Sequence, residues 1–164
     1  MALYHAHTSY LSRSSRSSAC SHAAYITGEK LQDNRTGISF DYRNKGSEVL
    51  YKNILLPEGM EHLESTEELW NAVEEHEDKI AEERYGNYKD EEKQAKSLAA
   101  KERFLANAAI AFKMECALPI EISAEEKIEL SDRIARGVFG EKKLIVQYAI
   151  HDIEDNPHKV AQFV

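Results

Sequence analysis

Ala109-Ile110-Ala111-Phe112-Lys113-Met114-Glu115-Cys116-Ala117-Leu118 changes character at every step. Ile110, Phe112, Met114, Cys116 and Leu118 fall on one side; Ala111, Lys113, Glu115 and Ala117 fall on the other. A period of two marks a strand, because successive side chains leave opposite faces of the pleat. The apolar side predicts a central strand packed by helices, and Glu115 lies on the second, more polar side. Pro119 ends the strand, since it has no N–H to give a ladder.

Downstream, Ser123-Ala124-Glu125-Glu126 has the form of a capping box and opens a helix to about residue 139. Ile128, Ile134 and Val138 are its expected buried side, and Gly140 stops it. Residues 143–151 read as a strand with Leu144, Val146, Tyr148 and Ile150 toward the core. Gln147, Ala149 and His151 share its other side. A loop over 152–157 carries three carboxylates, and 158–164 begins another strand.

Upstream, Ser65-Thr66-Glu67-Glu68 is a second capping box, expected to satisfy free N–H groups through Ser65 and Glu68. It predicts a helix to about residue 84 with Leu69, Trp70, Val73 and Ile80 buried. Residues 89–107 predict a very polar second helix. The acid-rich stretch 74–92 is expected to be solvent-exposed and away from any DNA. Residues 38–42 and 49–56 read as strands, separated by an Asn44-Lys45-Gly46 turn. Residues 2–10 alternate as a strand that puts His5 and His7 on one face.

Between these lies Ala19-Cys20-Ser21-His22-Ala23-Ala24-Tyr25-Ile26-Thr27-Gly28-Glu29-Lys30-Leu31. It predicts a helix capped by Ser17 or Ser18 and ending near Lys30. Small neighbours leave the Tyr25 ring standing clear. The loop before it, 11–18, holds Arg13 and Arg16, whose forked donors suit phosphate. A flexible polar connector is an equal reading of that loop.

Strands and helices are mixed without a regular β-α-β alternation. The expected architecture is therefore α+β with a mainly antiparallel sheet. The 164 residues suffice for one domain, and 42% hydrophobic residues exclude wholesale disorder. No apolar run reaches the ~20 residues of a membrane helix, and no basic-then-apolar leader opens the chain. Two cysteines with no pairing signature suggest reduced thiols and a cytoplasmic protein. The net charge of −8 is unevenly spread: residues 1–52 carry +3 and the remainder −11. An acidic total thus permits a local phosphate-binding surface around Tyr25.

Several segments, in order, resemble one family. They are Leu3-Tyr4-His5, Ser18-Ala19 followed by Ala23-Ala24-Tyr25 and Gly28-Glu29-Lys30, then Asp41-Tyr42 and Leu69-Trp70-Asn71. Ala117-Leu118-Pro119 with Glu121, Ala149-Ile150-His151 and Asn156-Pro157-His158 complete the series. Together they resemble the MobA/MobL family of plasmid mobilization relaxases, nicking enzymes of the HUH endonuclease class. The resemblance covers essentially the whole chain. It implies a five-stranded antiparallel sheet flanked by helices, forming a single relaxase-like domain over 1–164. It implies that Tyr25 is the nucleophile of a metal-dependent, site- and strand-specific transesterification. That reaction nicks and rejoins DNA at a plasmid transfer origin through a 5′-phosphotyrosine. His151 and His158 are implied as two of three metal-holding histidines. Mn²⁺ or Mg²⁺ is expected from the resemblance, although imidazole suits softer ions than Mg²⁺. Single-stranded DNA at the origin, with accessory relaxosome and coupling proteins, would be the partners. Arg13, Arg16 and Lys30 are the candidate DNA contacts.

One position departs from the pattern. The family continues Asn-Pro-His-x-His, whereas this chain has Val160 where the third histidine is expected. Three accounts stay open: weak binding through two histidines and another group, a substitute ligand from Glu115, His5 or His7, or a degenerate or truncated copy. The last is a DNA-binding module that no longer cuts. A small metal-binding or structural domain with no nucleic-acid role is a further reading that composition alone permits.

Overall fold

The computed structural model describes residues 5–13, 18–86, 91–140, 143–152 and 159–164. Its main sheet has five strands in the order β1-β5-β7-β6-β4, every pair antiparallel. These are β1 (Ala6–Ser12), β4 (Val49–Leu55), β5 (Ala109–Leu118), β6 (Val146–His151) and β7 (Lys159–Phe163). The last strand in sequence lies at the centre, between β5 and β6. The α+β architecture is as expected and β5 is an interior strand over the predicted residues, but Phe112 is exposed and Ile110 joins the opposite core from Leu118.

Helices cover both faces. On one side, α1 (Ala19–Thr27) and α2 (Thr66–Tyr85) pack a core containing Ala19, Cys20, Ala23, Ala24, Leu31, Leu69 and Trp70. On the other, α4 (Ala124–Val138) closes over Leu118, Val146, Tyr148, Ile150, Ala161 and Phe163. α3 (Glu91–Asn107) lies against α2, outside the two-face sandwich. Cys20 and Cys116 are both free and belong to the two opposite cores, so the sheet stands between them.

Several boundaries differ from the sequence reading, each for a local reason. α1 ends at Thr27, because Gly28 takes the left-handed conformation (φ 63°) and its N–H closes on the Ala24 carbonyl. The freed residues Lys30–Gln32 become β2, which pairs with β3 (Ser39–Asp41) in a hairpin separate from the main sheet. The 38–42 stretch is thus a strand, but not one of the five. The turn after it is a 3₁₀ segment, Arg43–Glu48. β1 runs on to Ser12, two residues into the predicted loop, by pairing through a bulge with Ala109.

The Ser123 box forms with both of its reciprocal bonds. At Ser65 only half of the box appears: the Glu68 N–H reaches the Ser65 hydroxyl, while the Glu68 carboxylate accepts from that hydroxyl instead of a backbone N–H. α4 turns Lys127, Ser131 and Ala135 innermost, leaving Ile128 and Ile134 half-buried and Val138 exposed. Small residues at four-residue spacing let the helix approach β6 closely, while the Lys127 stem snorkels out to Asp152, 3.4 Å away. Leu144, expected in the core, precedes β6 and is exposed. Glu74, expected in solvent, is 1% exposed.

Candidate functional site

Glu74 leads into the site. Its carboxylate accepts from the Ala19 N–H at 2.9 Å, satisfying a first-turn donor of α1. The same carboxylate is 2.7 Å from the Arg13 guanidinium and 3.3 Å from Arg35. Arg13 also bonds Asp78 at 2.7 Å and the Glu74 carbonyl at 2.6 Å. Arg13, read from sequence as a phosphate contact, is thus committed to an internal ion-pair cluster that braces the start of α1. A buried charge without such partners is very costly, which explains why the acids of α2 turn inward here.

From that anchored start, α1 lays its small residues on the sheet: Ala19, Cys20, Ala23, Ala24 and Ile26 are each at most 1% exposed. Ser18 caps the helix, accepting from Ser21 N–H at 3.0 Å. Tyr25 points the other way and keeps 40% of its surface in solvent. The Tyr42 ring meets it edge-on, with centroids 5.4 Å apart. Lys45 stands over its face, Nζ 4.6 Å from the ring centroid.

Beneath α1, the strand register sets two rows of paired residues on one face of the sheet. Directly paired residues in antiparallel strands share a face. The register therefore puts Ala117, Val160, His151 and Val49 in one row across β5, β7, β6 and β4. His7, Glu115, Gln162, Ala149 and Lys52 form the next row. Position 160 is thus next to His151 on the same face, where a histidine would join it and where valine stands.

The His151 Nε2 is buried with no hydrogen-bond partner. A histidine ligand needs a nitrogen lone pair that no other group occupies. Burial holds the His151 pKa below its ordinary value, Lys45 adds to that, and Glu48 opposes it. α1 packs on β6, so helix and sheet bring the elements carrying Tyr25 and His151 together.

The substitute ligands are placed less favourably. Glu115 Oε1 accepts from Gln162 and Lys113, each at 3.0 Å. His5 and His7 are exposed at the opposite edge, and β1 is three strands from β6. At ~4.8 Å per strand that is about 14 Å, beyond what two imidazoles on one face can bridge through one ion. Among the described residues no three His, Cys, Asp or Glu side chains stand together as a metal site. His158 and Arg16 lie outside the described residues. Lys30 is exposed on β2, opposite Asp41.

Sequence reasoning missed His22, one turn before Tyr25. Burial pushes its pKa down to about 4, with Lys113 lowering it further and Glu115 opposing; Nε2 has no partner. The helical spacing of 22 and 25 was the available signal. It also missed Lys45, which was read only as part of a turn. A nearby cleft of about 540 Å³ is lined by Glu29, Glu61 and Glu64 as well as Lys52 and Gln147, a carboxylate content ill-suited to phosphate.

Residues 17–87, which contain Tyr25, Lys45 and Glu74, match the model of the MobA/MobL family. Over 151 residues the chain is 29% identical to mobilization protein MobL of Acidithiobacillus ferridurans, covering 92% of this chain and 32% of the relative. Over 161 residues it is 31% identical to the probable mobilization protein MobA of Bifidobacterium longum strain NCC 2705, covering 96% and 24%. Residues 17–87 are thus similar to the MobA/MobL family, and the longer likeness is to mobilization proteins. The chain spans about a third and a quarter of the lengths of these two relatives. A solved chain described under "Molecular Basis of Vancomycin Resistance Transfer in Staphylococcus aureus" superimposes with a TM-score of 0.75 at 23% identity. The match covers 99% of this chain and 69% of that one, and shows the same fold. No helix among the described residues is long and apolar enough to cross a membrane.

Proposed function

We propose that residues 1–164 act as one relaxase domain, nicking and rejoining one DNA strand at a plasmid transfer origin with Tyr25 as nucleophile. The observation that carries the reading is an exposed tyrosine on the helix that packs on β6, the strand whose His151 keeps a buried, unpaired Nε2. An ordinary core histidine would have both nitrogens satisfied.

Tyr25 Oη attacks the scissile phosphorus. The P–O(Tyr) bond forms as the P–O3′ bond breaks; the phenol proton leaves and the departing 3′ oxygen takes one up. The phosphotyrosine link retains the bond energy, so rejoining is the same exchange in reverse. His151 has the free nitrogen to hold a divalent cation, with His158 as its partner on sequence grounds and Mn²⁺ or Mg²⁺ as the ion. A cation there supplies Lewis-acid stabilisation of phosphate charge. Lys30 on the exposed hairpin beside Tyr25 is the remaining candidate phosphate contact of the described set. Accessory relaxosome and coupling proteins are the expected partners.

Val160 beside His151 favours a second reading, a DNA-binding module that no longer cuts. One experiment separates the two. A labelled single-stranded oligonucleotide carrying the plasmid's own origin is incubated with the chain, with and without Mn²⁺. The relaxase reading predicts a metal-dependent covalent band that survives denaturation and disappears in Tyr25→Phe while binding persists. A native-gel shift without a covalent band would establish the second reading instead.

A further inference from the structure

Lys45 is the one ammonium stacked on an aromatic ring among the described residues, and the ring is Tyr25. We propose that Lys45 is a positioning residue that keeps a positive charge against the Tyr25 phenol and holds the phenolate as it forms and leaves. This rests on the reading of Tyr25 as the nucleophile.

The local fold appears only with unusual backbone proximity. The 3₁₀ segment Arg43–Glu48 is pressed against the end of α1 at a glycine pair: a Cβ added at Gly28 would stand 2.8 Å from Gly46 Cα and 3.2 Å from the Lys45 carbonyl carbon. Any side chain at 28 would push the segment off the helix, and with it Lys45. The segment is further tied by Tyr42 N–H to the Glu29 carbonyl at 3.0 Å and by Asp152 N–H to the Glu48 carbonyl at 2.9 Å. The second bond joins it to the residue after His151. Lys45, Tyr25 and His151 are thus held by one short, doubly anchored turn.

Lys45 is not diverted into a strong ion pair. Glu48 is its acidic partner at 3.4 Å, with both side chains about a third exposed. Such a pair is worth little in water and leaves the ammonium's other donors available. Burial pulls the Lys45 pKa down, and the Tyr25 hydroxyl and Glu48 outweigh it, so the group stays charged. The groups facing Tyr25 are Lys45 and Tyr42 from this segment, with Glu48 and His151 beyond Lys45.

A phenol of pKa ~10 reacts slowly near neutrality, because little of it is phenolate. A cation beside the oxygen favours the charged form in attack. The same cation favours departure of the phenolate during rejoining. Lys45 transfers no proton in this scheme; it offsets charge in both directions. Its loss therefore slows both cutting and rejoining.

The test compares wild type, Lys45→Met, Lys45→Arg and Tyr25→Phe for covalent adduct formation on the origin oligonucleotide at saturating DNA. Single-stranded DNA affinity and the urea midpoint are measured in parallel. Lys45→Met is expected to slow adduct formation on the order of 10²-fold, the scale of losing one charge-stabilising donor, and Lys45→Arg to retain most of the rate. Incorporating a fluorinated, more acidic tyrosine at 25 should shrink the Lys45→Met penalty, which a purely structural defect would not do. An unchanged rate in Lys45→Met, a loss explained wholly by weaker DNA binding or unfolding, or a penalty indifferent to fluorination would overturn the proposal while leaving Tyr25 as nucleophile. An adduct that persists in Tyr25→Phe, or no adduct from wild type, would overturn both.

Discussion

The two faces of the sheet are built to different ends. Under α4 the face is apolar and closed: Tyr148, Ile150, Ala161 and Phe163 are at most 1% exposed, and Tyr148 and Phe163 stack with centroids 5.6 Å apart. Under α1 the same strands present His151, Gln162 and Glu115, and α1 answers with His22. Of the six buried side-chain atoms without partners among the described residues, only Ser131 Oγ belongs to α4; His22 Nε2, His151 Nε2 and Gln162 Oε1 cluster on the α1 side. Unpaired buried polar atoms cost stability, so a face that accumulates them points to a ligand that the other face has no use for. One set of strands therefore carries both the fold and the chemistry, divided by the period-two alternation.

Substitutions on either face should separate these roles. The largest effect is expected at Glu74, which braces the α1 side. Glu74→Ala leaves the Arg13 guanidinium with Asp78 as its remaining carboxylate and frees the Ala19 N–H, so it should destabilise by about 3–5 kcal/mol in urea unfolding. It should also reduce adduct formation by the protein that remains folded, since α1 carries Tyr25. A neutral result would remove Glu74 as the anchor of the site.

Phe163→Ala, on the closed face, should cost a similar or slightly smaller amount, about 3–4 kcal/mol, through a cavity between Tyr148 and Phe139. Here the adduct rate per folded molecule should be unchanged. A Phe163→Ala variant that is stable yet inactive would break the division between the faces.

The smallest effect is pH-dependent. His22 is held neutral in the fold with its pKa at about 4, below the ordinary 6.5. Between those values the unfolded chain binds the extra proton and the folded one does not, so stability falls as pH drops from about 6.5 toward 4 and is intact above. His22→Gln should flatten that part of the urea-midpoint profile. An identical slope in the variant would mean that another group carries it.

Much of this was legible in the sequence. The alternation of 109–118 predicted a strand because it depends only on local geometry, and β5 occupies those residues inside the sheet. The Ser65 and Ser123 caps were readable for the same reason. What was not readable depends on long-range placement. Arg13 looks like a phosphate ligand in a Ser/Arg loop; only folding places it against Glu74, 61 residues away. His5 and His7 look like a metal pair until strand order puts two strands between them and His151. Lys45 had no signal of its own, because the Gly28–Gly46 approach that delivers it exists only in three dimensions. Val160 was visible as a departure from the family pattern, and the register now gives that departure a location, opposite His151.

The central claim is that the exposed tyrosine over this polar face is the group that joins DNA. It is tested most directly by trapping the covalent adduct, digesting protein and DNA, and locating the nucleotide by mass spectrometry. The account predicts a phosphonucleotide on the tryptic peptide spanning residues 17–30, at Tyr25. A nucleotide attached to any other residue, or its complete absence after reaction with the origin strand and Mn²⁺, would contradict it.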